Sequence, residues 1–555
     1  MAENTSYWHG ALQTRLHRRR LMAAGVSLAG ASAILAACGG GGSGSSANNS
    51  SAKAAPAAKA KPGGTVTFSV AAQFGNLNPQ GVGGSSQVRD YVNDRLFNYD
   101  YQNQKYELSM ASTLEQPDAT TIVFKVNPKA KYQQVAPTNG RAVTAQDVVT
   151  SWSNYRDSTA TVGAKTIWTM DTDKLEAPDS STVRVVLKQP NTYAIGPHGL
   201  AGPYPSLVTA PELWANNQLN TKAVGAGAYL LDQFDAASTL SFVRRPDGWN
   251  GLDRPYADKV VFKVITDSTA QAAAFRAKQI DFLTANDKIQ ADEFKTYGPD
   301  MQIDVELGFP RMFWLRADKG PFADVRAREA VYKTLDIKEL IDRVDLGEAQ
   351  WTSPVPAHLP NYALPDSELK TQFPVDRAKA ADLLKAAGFD FSHEFEFKVP
   401  NDDKSTLLAT VLQKQLAAAN IKTKIIPQDP RTVFTQTLAN KDLEIAAAYV
   451  QTLGQDANVW VGSFSNVQGG GQGSPTAWND PKIDDMVVAQ RHELDPAKQK
   501  QMVLDIERAY FKVFSPTINL VTPNNFVAHW NYFHPDRTHG YVGLLAHYQW
   551  TEKPA

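Results

Sequence analysis

The sequence predicts an α/β protein spread over two or three lobes. Two observations carry that expectation. With 555 residues, 43% of them hydrophobic and 20% charged, the chain is too long for one hydrophobic core and ordinary in composition for a globular protein. From 374 to 450, strand-like and helix-like patterns alternate, and parallel neighbours in a sheet need such crossover helices.

The N-terminus reads as an export signal. Arg15, Arg18, Arg19 and Arg20 precede an apolar, small-residue run from Leu21 to Ala37 that is short for a membrane span. Residues 1–37 are therefore read as a signal peptide. Arg18-Arg19-Arg20-Leu21-Met22 fits both a general and a twin-arginine route. The run ends at Leu35-Ala36-Ala37-Cys38-Gly39, which looks like a lipobox, the site where bacterial lipoproteins are acylated and cleaved. Cys38 is the single cysteine, so it has no internal disulfide partner. The Gly/Ser-rich, then Ser/Ala/Lys/Pro-rich stretch behind it buries little apolar surface and reads, over 38–62, as a flexible tether. Lipidation at Cys38 would hold the protein at the membrane surface.

Structure is expected to begin at Gly63-Gly64 with the alternating strand Thr65–Val70, and Thr121–Val126 and Thr182–Leu187 are further strand candidates. A helix from about Asp376 to Ala387 places Ala380, Leu383, Leu384 and Ala387 on one face, with Gly388 as its stop. Then follow a strand at Glu394–Val399, a helix from about Lys404 to Ala419, a strand at Ile421–Ile426, a helix at Arg431–Asn440 and a strand at Leu443–Val450. Ligands of parallel sheets bind beyond the carboxyl ends of the strands, which directs attention to the segment after Val450.

Four segments together resemble family 5 of the bacterial extracellular solute-binding proteins. They are Gly63–Val70 leading to Leu77-Asn78-Pro79; Asn139-Gly140-Arg141-Ala142-Val143-Thr144-Ala145-Gln146-Asp147-Val148-Val149; Val224-Gly225-Ala226-Gly227-Ala228-Tyr229 running on to Arg244-Arg245-Pro246-Asp247-Gly248-Trp249 and Arg254-Pro255-Tyr256; and Pro321-Phe322-Ala323-Asp324-Val325-Arg326-Ala327-Arg328-Glu329-Ala330. The resemblance implies a two-lobed, periplasmic-binding-protein clamp of type II-like design with an extra inserted subdomain. Lobe I would combine 63–103, 222–312 and 525–555, the inserted subdomain would be 104–221, and lobe II would be 313–524. Two strands near Arg311–Arg316 and Thr517–Thr522 would form the hinge.

What the resemblance implies about function is capture of a peptide, or another small solute, between the lobes and delivery to the permease and ATPase subunits of an ABC importer. Implied ligand contacts are Gln73, Phe74, Gly75 and Asn76 after the first strand, and Tyr449 to Trp460 after the last. Within the second segment Asp456 is the carboxylate nearest to where relatives pair with the ligand α-amine. Asn519 on the second hinge strand is a further candidate. Here the family usually shows Gly-Trp and then Asp, whereas this chain has Ala448-Tyr449 with another spacing, and it lacks the upstream arginines that would meet a ligand carboxylate. Trp314, Trp460 and Trp478 leave open a sugar ligand stacked on aromatic faces.

Other classes find less support. Four of the first 37 residues are Arg against one Glu, so the rest of a chain of net charge −1 is mildly acidic, the wrong balance for nucleic acid. No Gly-x-Ser-x-Gly elbow or phosphate-cradling loop occurs, and His393-Glu394 and His492-Glu493 lack the second histidine of a zinc hydrolase, so neither enzyme nor cofactor is expected. The spacings of His529, His534, His539 and His547 put them on no common face, so no metal site is read there. A sensory lipoprotein could use the same clamp. The expected state is a monomer outside the cytoplasm.

Overall fold

The computed structural model describes residues 60–81, 84–100, 105–159, 167–196, 199–202, 204–248, 255–449, 456–467, 474–535 and 549–553. The chain divides between Lys61 and Pro62, and the architecture that follows is that of Pro62–Ala555. Cys38 and the signal run lie outside the described residues.

The first strand forms at Thr65–Val70 and pairs in parallel with Lys259–Val264, in a four-stranded sheet completed by the antiparallel strands Thr239–Arg244 and Tyr229–Asp235. Its inward face is aromatic: Phe68 stacks on Phe262 at 5.1 Å, and Tyr91 from the helix Ser86–Tyr91 stacks on Phe242 at 5.0 Å. Gly225 and Gly227 lie against the end of that helix. A Cβ on Gly225 would sit 2.4 Å from the Val92 carbonyl oxygen, and one on Gly227 would sit 2.6 Å from the same carbonyl. Close backbone approach, then, is what these two glycines permit.

A second, antiparallel sheet runs in the order Ala111–Glu115, Thr121–Val126, Thr182–Leu187, Thr172–Glu176. The helix Ala145–Asp157 packs on it through Val148 and Trp152. Thr144 caps this helix reciprocally: its hydroxyl accepts from Asp147 N–H while the Asp147 carboxylate accepts from Thr144 N–H.

The largest sheet has eight strands, and one of them organises it. Thr517–Trp530 runs unbroken for 14 residues. Its first half pairs with Arg311–Leu315 and Ala349–Trp351, and its second half with Phe282–Ala285 and Met301–Leu307. One strand thus belongs to both halves of the molecule.

Beyond Arg311–Leu315 the sheet continues through Ile445–Tyr449, Glu394–Pro400 and Lys422–Gln428. The last three are parallel, as the alternating pattern implied, but Arg311–Leu315 is antiparallel to both its neighbours. Crossover helices dictate direction only for strands that they connect. Arg311–Leu315 enters from the other half of the chain and escapes that constraint.

The helices form at Arg377–Ala386 and Asp403–Ala417, each capped by the preceding aspartate, Asp376 and Asp402. Gly388 takes the expected left-handed conformation (φ 68°) just past the first of them. The Arg431–Asn440 stretch winds more loosely than a regular helix, as one short turn at Pro430–Thr432 and a wider π-type turn at Val433–Leu438. Both faces of the sheet are buried. Phe313, Ile445 and Ala447 face a layer with Leu408, Leu412 and Leu416, while Met312, Trp314, Ala446 and Ala448 face one with Trp460 and Tyr510.

At the junction Arg311 makes a two-point ion pair with Asp345 (Nη2–Oδ1 2.6 Å, Nε–Oδ2 3.1 Å), both side chains almost fully buried. Lys404 lies 3.7 Å from the same carboxylate and donates to the Asn286 carbonyl at 2.8 Å. Among the described residues no helix is long and apolar enough to cross a membrane, and no group of three or more His, Cys, Asp or Glu side chains is placed to hold a metal ion.

Candidate functional site

Past the carboxyl end of Ile445–Tyr449 the chain starts a new helix, Ala457–Ser463, and Asp456 is its N-cap. Residues 450–455, between the two, lie outside the described residues. Asp456 Oδ1 accepts from Asn458 N–H at 2.9 Å, the ordinary work of a capping carboxylate. Oδ2 is different. It is buried and has no hydrogen-bond donor among the described residues. Burial pushes the Asp456 carboxyl up to about 7, although the capping amides and the Arg491 guanidinium pull the other way. Arg491 does not neutralise it by contact: its Nε donates to Asn458 Oδ1 at 2.7 Å and its Nη2 to the Val467 carbonyl at 3.2 Å.

Opposite Asp456 lies the turn-rich segment between strands Thr182–Leu187 and Leu207–Val208. A Cβ built on Gly196 would come within 3.3 Å of Asp456 Oδ2, so the orphan oxygen faces that backbone. The segment is fastened to the helices beside Asp456. Thr192 N–H and its hydroxyl both donate to the Arg491 carbonyl, at 3.0 and 3.2 Å. His492 Nδ1 donates to the Pro190 carbonyl at 2.6 Å, because a carbonyl can only accept. Gln499 Nε2 meets the Tyr193 hydroxyl, whose own ionisation burial pushes well above the usual range. These bonds join residues about 300 apart in sequence, and they close the molecule over the carboxylate.

An aromatic wall stands beside it. Trp460 is fully buried, 6.4 Å from Phe309 and 6.0 Å from His358 between ring centroids, and Phe309 is 6.5 Å from Tyr449. The Tyr449 hydroxyl accepts from Phe309 N–H and Asn525 Nδ2, at 3.4 and 3.5 Å. Tyr449, Asp456 and Trp460 are therefore brought together near one end of the sheet.

The remaining sequence candidates stand elsewhere or are otherwise engaged. Trp314 is buried within the strand Arg311–Leu315, in the same apolar layer as Trp460. Asn519 donates its amide to the carbonyls of Ser353 and Pro354, at 2.9 and 3.0 Å. Glu507 accepts from Val355 N–H at 2.7 Å, so both side chains hold that loop. In the first loop Phe74 is in the core, Gln73 and Gly75 are exposed, and Asn76 Oδ1 accepts from Asn78 N–H at 2.9 Å.

Sequence reasoning missed Tyr193, Gly196, Phe309, His358 and Arg491. Nothing local marks them, since each acquires its place only when segments far apart in the chain meet. The density of Gly and Pro between 189 and 205 was the one available sign that this stretch makes a shaped surface.

Two halves sharing a strand, fastened over a buried carboxyl with one oxygen lacking a donor among the described residues, make a two-lobed clamp. The description "Bacterial extracellular solute-binding proteins, family 5 Middle" matches residues 105–472. The chain belongs to that family. One curated relative, the di/tripeptide-binding protein 3 of Pseudomonas aeruginosa, is 22% identical over 291 residues, 51% of this chain and 54% of the relative, so the match spans about half of that protein's length. Solved structures match more completely. The periplasmic binding protein DppA of Helicobacter pylori, in complex with peptide STSA, superposes with a TM-score of 0.77 at 20% identity over 89% of this chain and 99% of that one. The binding protein AgaA of A. tumefaciens R10, in complex with agropinic acid, does so with a TM-score of 0.76 at 20% identity, again over 89% and 99%. At such identities the likeness is one of two-lobed fold.

Proposed function

We propose that this chain captures a peptide with a free α-amine between its two lobes and hands it to the permease and ATPase subunits of an ABC importer. The observation that carries this reading is Asp456 Oδ2, buried without a donor among the described residues and facing the opposite segment. A desolvated carboxylate is costly to leave unpaired, and an ammonium is the complement that would satisfy it. Tyr449 and Trp460 would flank the ligand, and the loop Gln73–Asn76 would contribute from the other lobe, with Trp314 and Asn519 supporting the wall from behind. Lobe I is taken as 63–103, 222–312 and 525–555, the inserted subdomain as 104–221 and lobe II as 313–524. No nucleophile-and-base pair is needed for any step, so the protein works by binding and release and is not an enzyme. The lipobox-like run ending at Cys38 supports a lipid-anchored monomer on the outer face of the membrane.

Native mass spectrometry of the protein purified without refolding tests the reading. The expected result is a co-purifying peptide released on unfolding and lost in Asp456→Ala. A retained sugar or other uncharged solute, unaffected by that substitution, would overturn it.

A further inference from the structure

The hydrogen bonding that begins at Asp456 Oδ1 does not end at Asn458. While Asn458 N–H donates to that oxygen, the Asn458 side-chain oxygen accepts from Gln490 Nε2 and from Arg491 Nε, both at 2.7 Å. The second hydrogen of Gln490 Nε2 goes to the Val487 carbonyl at 3.0 Å. Gln490 Oε1 accepts from Gln499 Nε2 at 2.9 Å, and Gln499 Nε2 also donates to the Tyr193 hydroxyl. A continuous chain of bonds runs from Tyr193 through Gln499, Gln490 and Asn458 to Asp456.

Its direction is fixed. A side-chain amide nitrogen carries two hydrogens, and on both glutamines each of them has an acceptor. Turning Gln490 over would set its nitrogen against Gln499 Nε2 and its oxygen against Asn458 Oδ1 and the Val487 carbonyl. Gln490 is 0% exposed and Gln499 4%, so an unmade bond there carries the full desolvation of the group.

The chain also crosses the molecule. Asp456 and Asn458 open the helix Ala457–Ser463, Gln490 stands on Pro481–His492 and Gln499 on Pro496–Lys512, all within the residues taken above as lobe II. Tyr193 alone belongs to the inserted subdomain. Its carbonyl accepts from Gly196 N–H at 2.8 Å, in the same turn that sets Gly196 against Asp456 Oδ2. One turn therefore ends the chain at its hydroxyl and covers the other carboxylate oxygen with its backbone.

We infer that Gln490 and Gln499 are positioning residues that tie the setting of Asp456 to closure of the clamp, with Tyr193 as the contact that completes the chain. Parting the two halves takes the acceptor from Gln499 and the cover from Oδ2 together. Gln490 lies behind Asn458 and acts only through it. The inference rests on the reading of Asp456 as the site of the ligand ammonium, and deepens it by assigning what holds that carboxylate in its binding orientation.

The test offers the purified protein a pool of synthetic tri- to pentapeptides in two isotope-coded forms, free and N-acetylated, and counts the retained peptides by mass spectrometry. The wild type is expected to retain free over acetylated forms by about thirty-fold or more. Gln490→Met keeps the length of the side chain and loses its bonds; Tyr193→Phe deletes one oxygen and keeps the ring, so it still answers if the first variant folds poorly. Each should lower the free-to-acetylated ratio by about three- to ten-fold, the worth of one well-made hydrogen bond. In an Asp456→Asn background, where the ratio is near unity, neither should lower it further. General loosening of the fold would reduce retention of both forms alike and leave the ratio where it was. A ratio held at the wild-type value in either variant overturns the chain and leaves the amine site standing. A wild type indifferent to N-acetylation, or one that retains no peptide, overturns the peptide reading and this inference with it.

Discussion

On the proposed reading Asp456 should tie ligand binding to pH, and the sign follows from its surroundings. Burial pushes the carboxyl up to about 7, so near neutrality it is about half protonated. An ammonium brought against Oδ2 favours the ionised form and drives the proton off. Affinity should therefore rise with pH, about tenfold per unit below 7, level off just above it, and turn down near pH 8 as the peptide α-amine loses its own proton. A bound-state value well below 5 makes binding at pH 5 about 100-fold weaker than on the plateau, or about 2.7 kcal/mol. At pH 7 about half a proton should leave per ligand bound. Calorimetry of a free-amine peptide in two buffers of different ionisation enthalpy measures that proton directly, and titrations from pH 5 to 8 measure the slope. Asp456→Asn should remove both the proton release and the slope. Affinity constant across this range, with no proton exchanged by the wild type, would refute the argument that the orphan oxygen awaits a cation.

The same carboxyl should cost stability. Its folded-state value lies above the ordinary one, so it contributes fully to stability below about pH 4 and loses that contribution as pH rises through 7. Asp456→Asn is expected to raise the melting temperature of the ligand-free protein at pH 8 by the equivalent of as much as about 4 kcal/mol, with the gain vanishing toward pH 4. Gly227→Ala drives a Cβ to 2.6 Å from the Val92 carbonyl and should destabilise the protein by about 1–3 kcal/mol in urea unfolding, with no change in ligand selectivity. Arg311→Ala leaves Asp345 buried without its two-point partner, a loss of about 3–5 kcal/mol measured in the same way. Cys38→Ala should abolish palmitate incorporation in cells; unchanged labelling would remove the lipid anchor from the proposal.

Much of the local structure was readable along the chain. The strands Thr65–Val70, Thr121–Val126 and Thr182–Leu187 form at the expected residues, because alternating apolar side chains have one way to bury a face. Asp376, Asp402, Gly388 and the Thr144–Asp147 pair mark helix ends through hydrogen bonds that span only a few residues. Family membership was legible for a related reason, since its motifs are turns, caps and close approaches encoded in short runs.

What the chain could not declare is anything made by segments meeting from afar. The antiparallel direction of Arg311–Leu315 depends on pairings across two hundred residues, where no local period applies, and the hinge at Thr517–Thr522 was implied by the family resemblance alone. Asp456 shows the division most plainly. Its sequence context announces an aspartate before a helix, and one of its oxygens does just that work. The other is buried without a donor among the described residues only because Gly196, Thr192 and Tyr193 are folded onto the helices beside it. Desolvation is a property of everything that surrounds a group, and so tertiary structure alone decides which carboxylate is left wanting a cation.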